Sequence, residues 1–274
     1  MSRMIARVVV AVSLVAPHAA LAGPPAAPVS ASAPPLVLFS SPESIARLER
    51  SKAKIDFFTL ADHFEAQQNA GLCGPTSAVI VLNALRVDNP KIEKPVDKTA
   101  IPEEFVLAIP KGFDPYVHRY SQRAFFDDKL FSVKPKEVYY GRTMGDGGKP
   151  DPGMQIRQLG RVLTVHGLDV QVRIVDDKLD EAAAKKEIID NLARAGDYVI
   201  VNYSRAALGQ RGGGHISPVA AYDDKSDSFL ILDVNPNDGK QWAWADAKTL
   251  FAAMRTLDHG ENRGFLLVKE GAPQ

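Results

Sequence analysis

The spacing of hydrophobic and polar positions changes character about halfway along the chain. From Pro75 to Leu85 the residues are small or aliphatic nearly all round, which predicts a buried helix. Gly74-Pro75 falls in its first turn, where a missing N–H costs nothing. Upstream, Ser41-Pro-Glu-Ser-Ile-Ala-Arg-Leu-Glu-Arg50 predicts a short helix with Ser41 as N-cap and Pro42 at N1. A loop leads from there to Phe57–Phe64 and on into the buried helix. Between residues 87 and 153, prolines from Pro90 to Pro152 break up the apolar pieces, so irregular structure with a few short helices is expected. The aromatic and basic stretch Phe113–Phe126 suits a lid over a pocket and plain packing equally well. Gly145-Asp-Gly-Gly148 lacks the strand before and helix after that a phosphate loop needs.

From residue 154 the pattern is regular. Ile156, Leu159 and Leu163 have helical spacing, with Gly167 near the stop, and Asp169–Val175 alternates as a strand. Leu179–Ala195 reads as a helix ending at Gly196, and Tyr198–Tyr203 as a short apolar strand. His215–Tyr222 and Ser228–Val234 flank the turn Asp223–Asp227 and predict a β-hairpin. A helix over Ala245–Leu257 and a strand over Gly264–Val268 follow. Helices first and a mostly antiparallel sheet later make an α+β domain.

The first residues alter the setting. Arg3 and Arg7 precede an apolar run from Val8 to Ala16 and an Ala20-Leu-Ala22 site, so residues 1–22 read as a signal peptide and the mature chain starts at Gly23. The apolar run is well short of the ~20 residues of a membrane span. A periplasmic or secreted location is expected, with no membrane attachment after cleavage. Residues 23–35 lack large apolar side chains and read as a disordered leader, leaving residues 36–270 as the folded domain. Without residues 1–22 the chain has 31 basic and 33 acidic side chains. With no clustered excess of Lys and Arg, nucleic-acid binding is not expected.

An exported chain with one cysteine can form no internal disulfide, which favours a chemical role for the thiol. Cys73 stands at the start of the buried helix, where unpaired N–H groups and the macrodipole favour a thiolate. Such a nucleophile needs a base, and the base needs a group to orient it. Of the six histidines, His18 leaves with the signal peptide, and His63, His118, His166 and His259 have no acid that the sequence can place. His215 opens the hairpin, and strand pairing puts it within a residue or two of opposite Asp233. Gly212-Gly213-Gly214 just before it leaves bare backbone for substrate approach. An oxyanion needs donors: the Cys73 N–H is one, and Gln67 or Gln68 on the incoming loop supplies another. No Cys/His cluster has metal-ligand spacing, so neither a metal site nor a cofactor is expected.

Gln67-Gln-Asn-Ala-Gly-Leu-Cys73-Gly-Pro-Thr-Ser with Val81-Leu-Asn-Ala-Leu85, Val199-Ile-Val-Asn-Tyr-Ser, Gly209-Gln-Arg-Gly-Gly-Gly-His215-Ile-Ser-Pro, Phe229-Leu-Ile-Leu-Asp-Val234 and Arg263-Gly-Phe265 together resemble the catalytic domain of phytochelatin synthases. The likeness runs through residues 36–268 and is weak between 87 and 150. It implies a papain-like fold whose N-terminal helical part carries the nucleophile and whose C-terminal sheet carries His and Asp. It also implies a Cys73–His215–Asp233 triad with Gln67 as oxyanion donor. The implied reaction takes glycine off glutathione and passes γ-Glu-Cys to water or to another glutathione, with heavy-metal ions entering as metal-thiolate substrate or activator. Arg263, Arg211, Gly213 and Gly214 are the expected substrate contacts. Two departures stand out: the family's cysteine-rich C-terminal domain is not in this sequence, as in short bacterial members that mostly hydrolyse, and Asn235–Trp242 replaces a basic segment after Asp233. The competing readings are a bacteriocin-processing type of cysteine peptidase and a non-catalytic periplasmic thiol or metal binder. Acceptor and oligomeric state stay open at this level.

Overall fold

The computed structural model describes residues 36–99, 101–141, 152–237 and 242–272. The expected signal peptide, the leader and Gly145–Gly148 lie outside these residues. A two-residue strand β1 (Val37–Leu38) leads into α1 (Pro42–Arg50), α2 (Ile55–Asp62) and α3 (Cys73–Arg86). Three short helices follow, α4 (Glu103–Val106), α5 (Asp128–Val133) and α6 (Lys136–Tyr139), then α7 (Ile156–Val165). The rest alternates: β2 (Leu168–Ile174), α8 (Glu181–Leu192), β3 (Asp197–Ser204), β4 (Gly214–Asp223), β5 (Ser228–Ile231), β6 (Ala243–Asp246), α9 (Ala247–Met254), a small β7–β8 pair (Leu257–Asp258, Glu261–Asn262) and β9 (Gly264–Glu270).

Seven strands form one antiparallel sheet in the order β1-β6-β5-β4-β3-β9-β2. With late helices packed among the strands, the molecule is α+β, as the element order predicts. Both faces of the sheet are covered, which explains why its central strands read as unbroken apolar runs rather than alternating ones. Tyr198 and Ile200 of β3 and Leu266 of β9 join α3 and α7 in one core, while Val199, Val201 and Phe265 join α8 and α9 in another. Buried from Gly74 through Asn83, α3 is the helix apolar all round that its composition calls for. Among the described residues, no helix is long and apolar enough to cross a membrane.

Most boundaries follow local chemistry. Ser41 Oγ accepts from the Ser44 N–H with Pro42 at the helix start, and Gly167 and Gly196 take left-handed φ of 88° and 85° just past α7 and α8. Phe57 to Asp62, left without an assigned element in the sequence reading, lie in α2. Two elements differ from the sequence reading. The helix expected from Ala245 begins at Ala247: Ala243–Asp246 is a strand paired with β5, and Asp246 caps α9 by accepting the Thr249 N–H at 2.9 Å. The hairpin strand ends at Ile231, after a register shift between Val219 and Ala221; Leu232 adds one last cross-strand bond, its N–H to the Pro218 carbonyl at 2.9 Å, and Asp233 runs on beyond the ladder.

Candidate active site

Cys73 is the first residue of α3, half-buried, with its side chain against the start of β4. Ser77, one turn on, fixes that approach: its hydroxyl donates to the Cys73 carbonyl at 2.8 Å and to the Ile216 carbonyl at 3.2 Å. Helix start and strand start are thus tied side by side. His215 is buried, and its Nε2 bonds Asp233 Oδ1 at 2.8 Å. Cys73 and the same imidazole lie close enough for hydrogen bonding and charge to shift each other's titration, and Nδ1 is the ring nitrogen not engaged by Asp233. The bond to the acid therefore fixes the tautomer presented to the thiol.

The charges reinforce one another. Burial alone would push the Cys73 thiol up, but the hydrogen bond and charge of His215 and the N–H groups of Ile216 and Gly74 hold it below its ordinary value. Burial would likewise depress His215, yet Asp233 and Cys73 hold it above its ordinary value. Asp233, only 4% exposed, would be raised by burial; His215 and Arg205 keep it far below the usual carboxylate range. It also accepts the Asn235 N–H at 2.9 Å.

The structure separates Gln67 from Gln68. Gln67 is buried and Gln68 exposed, and the Gln67 N–H donates to the carbonyl of Val234, the neighbour of Asp233, at 2.8 Å. Gln67 Nε2 donates to the Asn69 carbonyl at 2.7 Å, and its Oε1 is buried without a partner. Gln122, buried, holds this loop from outside through Glu65, the Ala66 carbonyl and the Gln68 N–H.

The other expected contacts divide. Arg263 is buried beside Gly214 and donates through Nη1 to Thr256 Oγ1 and the Leu257 carbonyl. Arg211 is exposed, as are Gly213 and Gly214. Two histidines left without acids in the sequence have them here, His118 with Asp114 at 2.7 Å and His166 with Asp127 at 3.2 Å, neither pair involving Cys73. Sequence reasoning missed Arg205, whose guanidinium grips both oxygens of Asp233. Among the described residues, no group of three or more His, Cys, Asp or Glu could hold a metal ion.

A thiol at a helix start, an imidazole beside it and a buried carboxylate behind form the arrangement of cysteine-nucleophile hydrolases and acyltransferases. The phytochelatin synthase family model matches residues 30–99 and 112–265, and the chain belongs to that family. Glutathione gamma-glutamylcysteinyltransferase 1 of Arabidopsis thaliana is 26% identical over 250 residues, covering 87% of this chain and 43% of its own. The Schizosaccharomyces pombe glutathione gamma-glutamylcysteinyltransferase is 23% identical over 217 residues, covering 78% of this chain and 43% of its own. The chain thus spans less than half the length of these relatives. Among solved structures it is similar to xylellain, a cysteine protease from Xylella fastidiosa, at 14% identity and a TM-score of 0.37 over 88% of each chain, a level that decides neither fold nor activity.

Proposed function

We propose that this chain cleaves the Cys–Gly amide of glutathione through a Cys73 thioester and passes γ-Glu-Cys chiefly to water. The observation that carries the reading is the buried His215 Nε2–Asp233 Oδ1 bond of 2.8 Å, with Cys73 at the start of α3 close enough to the same imidazole for each to shift the other's titration. The Cys73 thiolate attacks the amide carbonyl, and the oxyanion is held by the Cys73 N–H and by Gln67, whose Nε2 keeps one hydrogen beyond its bond to Asn69. The imidazolium of His215 gives its proton to the departing glycine nitrogen as the C–N bond breaks. His215 then takes a proton from water as it attacks the thioester, releasing γ-Glu-Cys and restoring the thiolate–imidazolium pair. Asp233 holds the ring and its charge throughout.

Glutathione offers two carboxylates and an amine. Arg263 beside Gly214 is the donor for a carboxylate, Gly213 and Gly214 let the peptide pass close to His215, and exposed Arg211 serves as an outer contact. Heavy-metal ions enter as thiolate complexes of the substrate. The basic start, apolar run and Ala20-Leu-Ala22 site support export to the periplasm, with Gly23 as the mature N-terminus.

Incubating the purified chain with glutathione tests the reading. Stoichiometric glycine supports it; cleavage of longer peptides but not glutathione points to a processing peptidase; binding without product makes it a thiol binder. N-terminal sequencing of periplasmic material checks the export site.

A further inference from the structure

Arg205 follows β3 directly and is only 3% exposed. Its Nη1 and Nη2 reach Asp233 Oδ2 and Oδ1 at 2.7 and 2.8 Å, a two-pronged contact, and Nη1 also donates to Gln210 Oε1 at 2.7 Å. The Arg205 N–H donates to the Gly213 carbonyl at 3.0 Å, and its stem crosses Gly212, where a Cβ would come 3.1 Å from Cδ. Gly212 has φ of 118°, a conformation that accommodates the crossing and suits glycine alone. The turn from β3 to His215 is therefore folded around this side chain. Isolated buried ion pairs of this kind bring little net stability, because desolvation offsets attraction. Stability is thus a weak reason for placing one behind a catalytic histidine.

Charge balance supplies a stronger one. A thiolate, an imidazolium and a buried carboxylate sum to one uncompensated negative charge, and a buried anion behind the histidine opposes the thiolate in front of it. We propose that Arg205 is a positioning residue of the triad: it fixes Asp233 against His215 and supplies the positive charge that balances it. This rests on the Cys73–His215–Asp233 assignment. The titratable groups facing Cys73 are His215 on β4, Tyr139 on α6, Tyr203 on β3, and Asp233 and Arg205 on the adjoining loops. Burial keeps both tyrosines protonated, and Arg263 beside Gly214 is opposed by Asp258 at 3.7 Å. Of these neighbours, Arg205 and His215 supply positive charge. Removing the fixed cation makes every neighbouring acid harder to ionise, so thiol and imidazolium both titrate at higher pH, as a unit.

The sole cysteine makes this measurable without knowledge of the substrate. Iodoacetamide alkylation, followed by intact mass across pH, reports the thiolate. In Arg205→Met and Arg205→Gln the reactive window moves to higher pH, and the rate near pH 6 falls roughly tenfold. Arg205→Lys keeps the charge and the parental window but loses glycine release, because a point charge does not reproduce the fork. Either neutral variant, shown folded by near-UV circular dichroism, with the parental window overturns the proposal, and so does an equal shift in Arg205→Lys. Parent protein alkylating like a free thiol, with its rise near about pH 8.5, sinks the triad assignment itself instead.

Discussion

Gly214 lies against the guanidinium of Arg263: a Cβ at this position would stand 2.8 Å from Nη2 and 3.3 Å from Nε. Gly213, one residue earlier, has nothing within 4 Å of such an atom. The glycine run, readable in sequence as bare backbone for a substrate, is required at Gly212 and Gly214 by two buried arginines, and Gly213 alone faces open space. Gly214→Ala must displace Arg263 from Thr256 and Leu257, so a loss of about 1–3 kcal/mol is expected in thermal unfolding, with weaker turnover. Gly213→Ala should melt like the parent and act only on KM. Equal destabilisation by the two would refute this division.

Triad members act as a unit, so Cys73→Ala should abolish glycine release while the fold, which loses only a half-buried sulfur, persists. His215→Ala should be nearly as damaging. Asp233→Asn, which keeps shape but loses the charge gripped by Arg205, should be less so, and retained turnover in Cys73→Ala would exclude the thiol as nucleophile.

Arg263 Nε is buried without a partner while Nη1 is fully engaged, so the guanidinium has a donor to spare on its Gly214 side. A buried orphan donor is costly unless something fills it. Arg263→Lys loses that fork and should raise KM for glutathione or lower kcat/KM by about tenfold. Parental values of both would remove Arg263 from the substrate site.

Away from this site, Asp56 in α2 is 1% exposed with neither carboxylate oxygen partnered, and burial, then the charge of Asp197, pushes it up to about 9. The sign follows from linkage. Below about pH 4 both folded and unfolded states hold the proton; between there and about pH 9 only the folded state does, so stability falls by about 1.4 kcal/mol per pH unit. Asp56→Asn removes that loss. It should raise the melting temperature more at pH 8 than at pH 5, and a gain independent of pH would show that the group is ionised in the folded protein.

Cys73, His215 and Asp233 were legible because each stands at a marked place: a helix start, a strand start after glycines, and a strand end two residues from register. Gln67 and Gln68 stay two candidates in the sequence, since spacing does not separate them; the structure differs between them in burial, with Gln67 buried and Gln68 exposed. Arg205 was not legible. Its partner is 28 residues away, and an arginine in a loop carries no local sign that it will be buried. Strand β6 was missed because Ala243–Asp246 is short and runs straight into α9, so helical propensity masked it, while its pairing with β5 is a tertiary fact. The proline-rich stretch shows only short helices because prolines interrupt each apolar piece before a second turn can add to it.

Under the proposed function, concentration and geometry both favour water as the acceptor. Water is present at tens of molar and a cellular thiol peptide at roughly millimolar, so a second glutathione must gain a factor on the order of 10⁴ through positioning to compete. Positioning of that size requires a site that grips the acceptor's carboxylates. Past Asp233 the described chain runs Val234-Asn235-Pro236-Asn237, with no cation, and its amides are spent on local turns from Asn235 to Asp233 and from Asn237 to Asn235. On the other side of His215, Arg205 is committed to Asp233. Exposed Arg211 is the cation left on the glycine loop, too few contacts to fix an amine in attack geometry. Glycine and γ-Glu-Cys should therefore appear in nearly equal amounts, with oligomers only at high glutathione. Mass spectrometry of the products over a glutathione titration decides it: (γ-Glu-Cys)n-Gly as the main product at about 1 mM would mean that an acceptor site supplies the full factor.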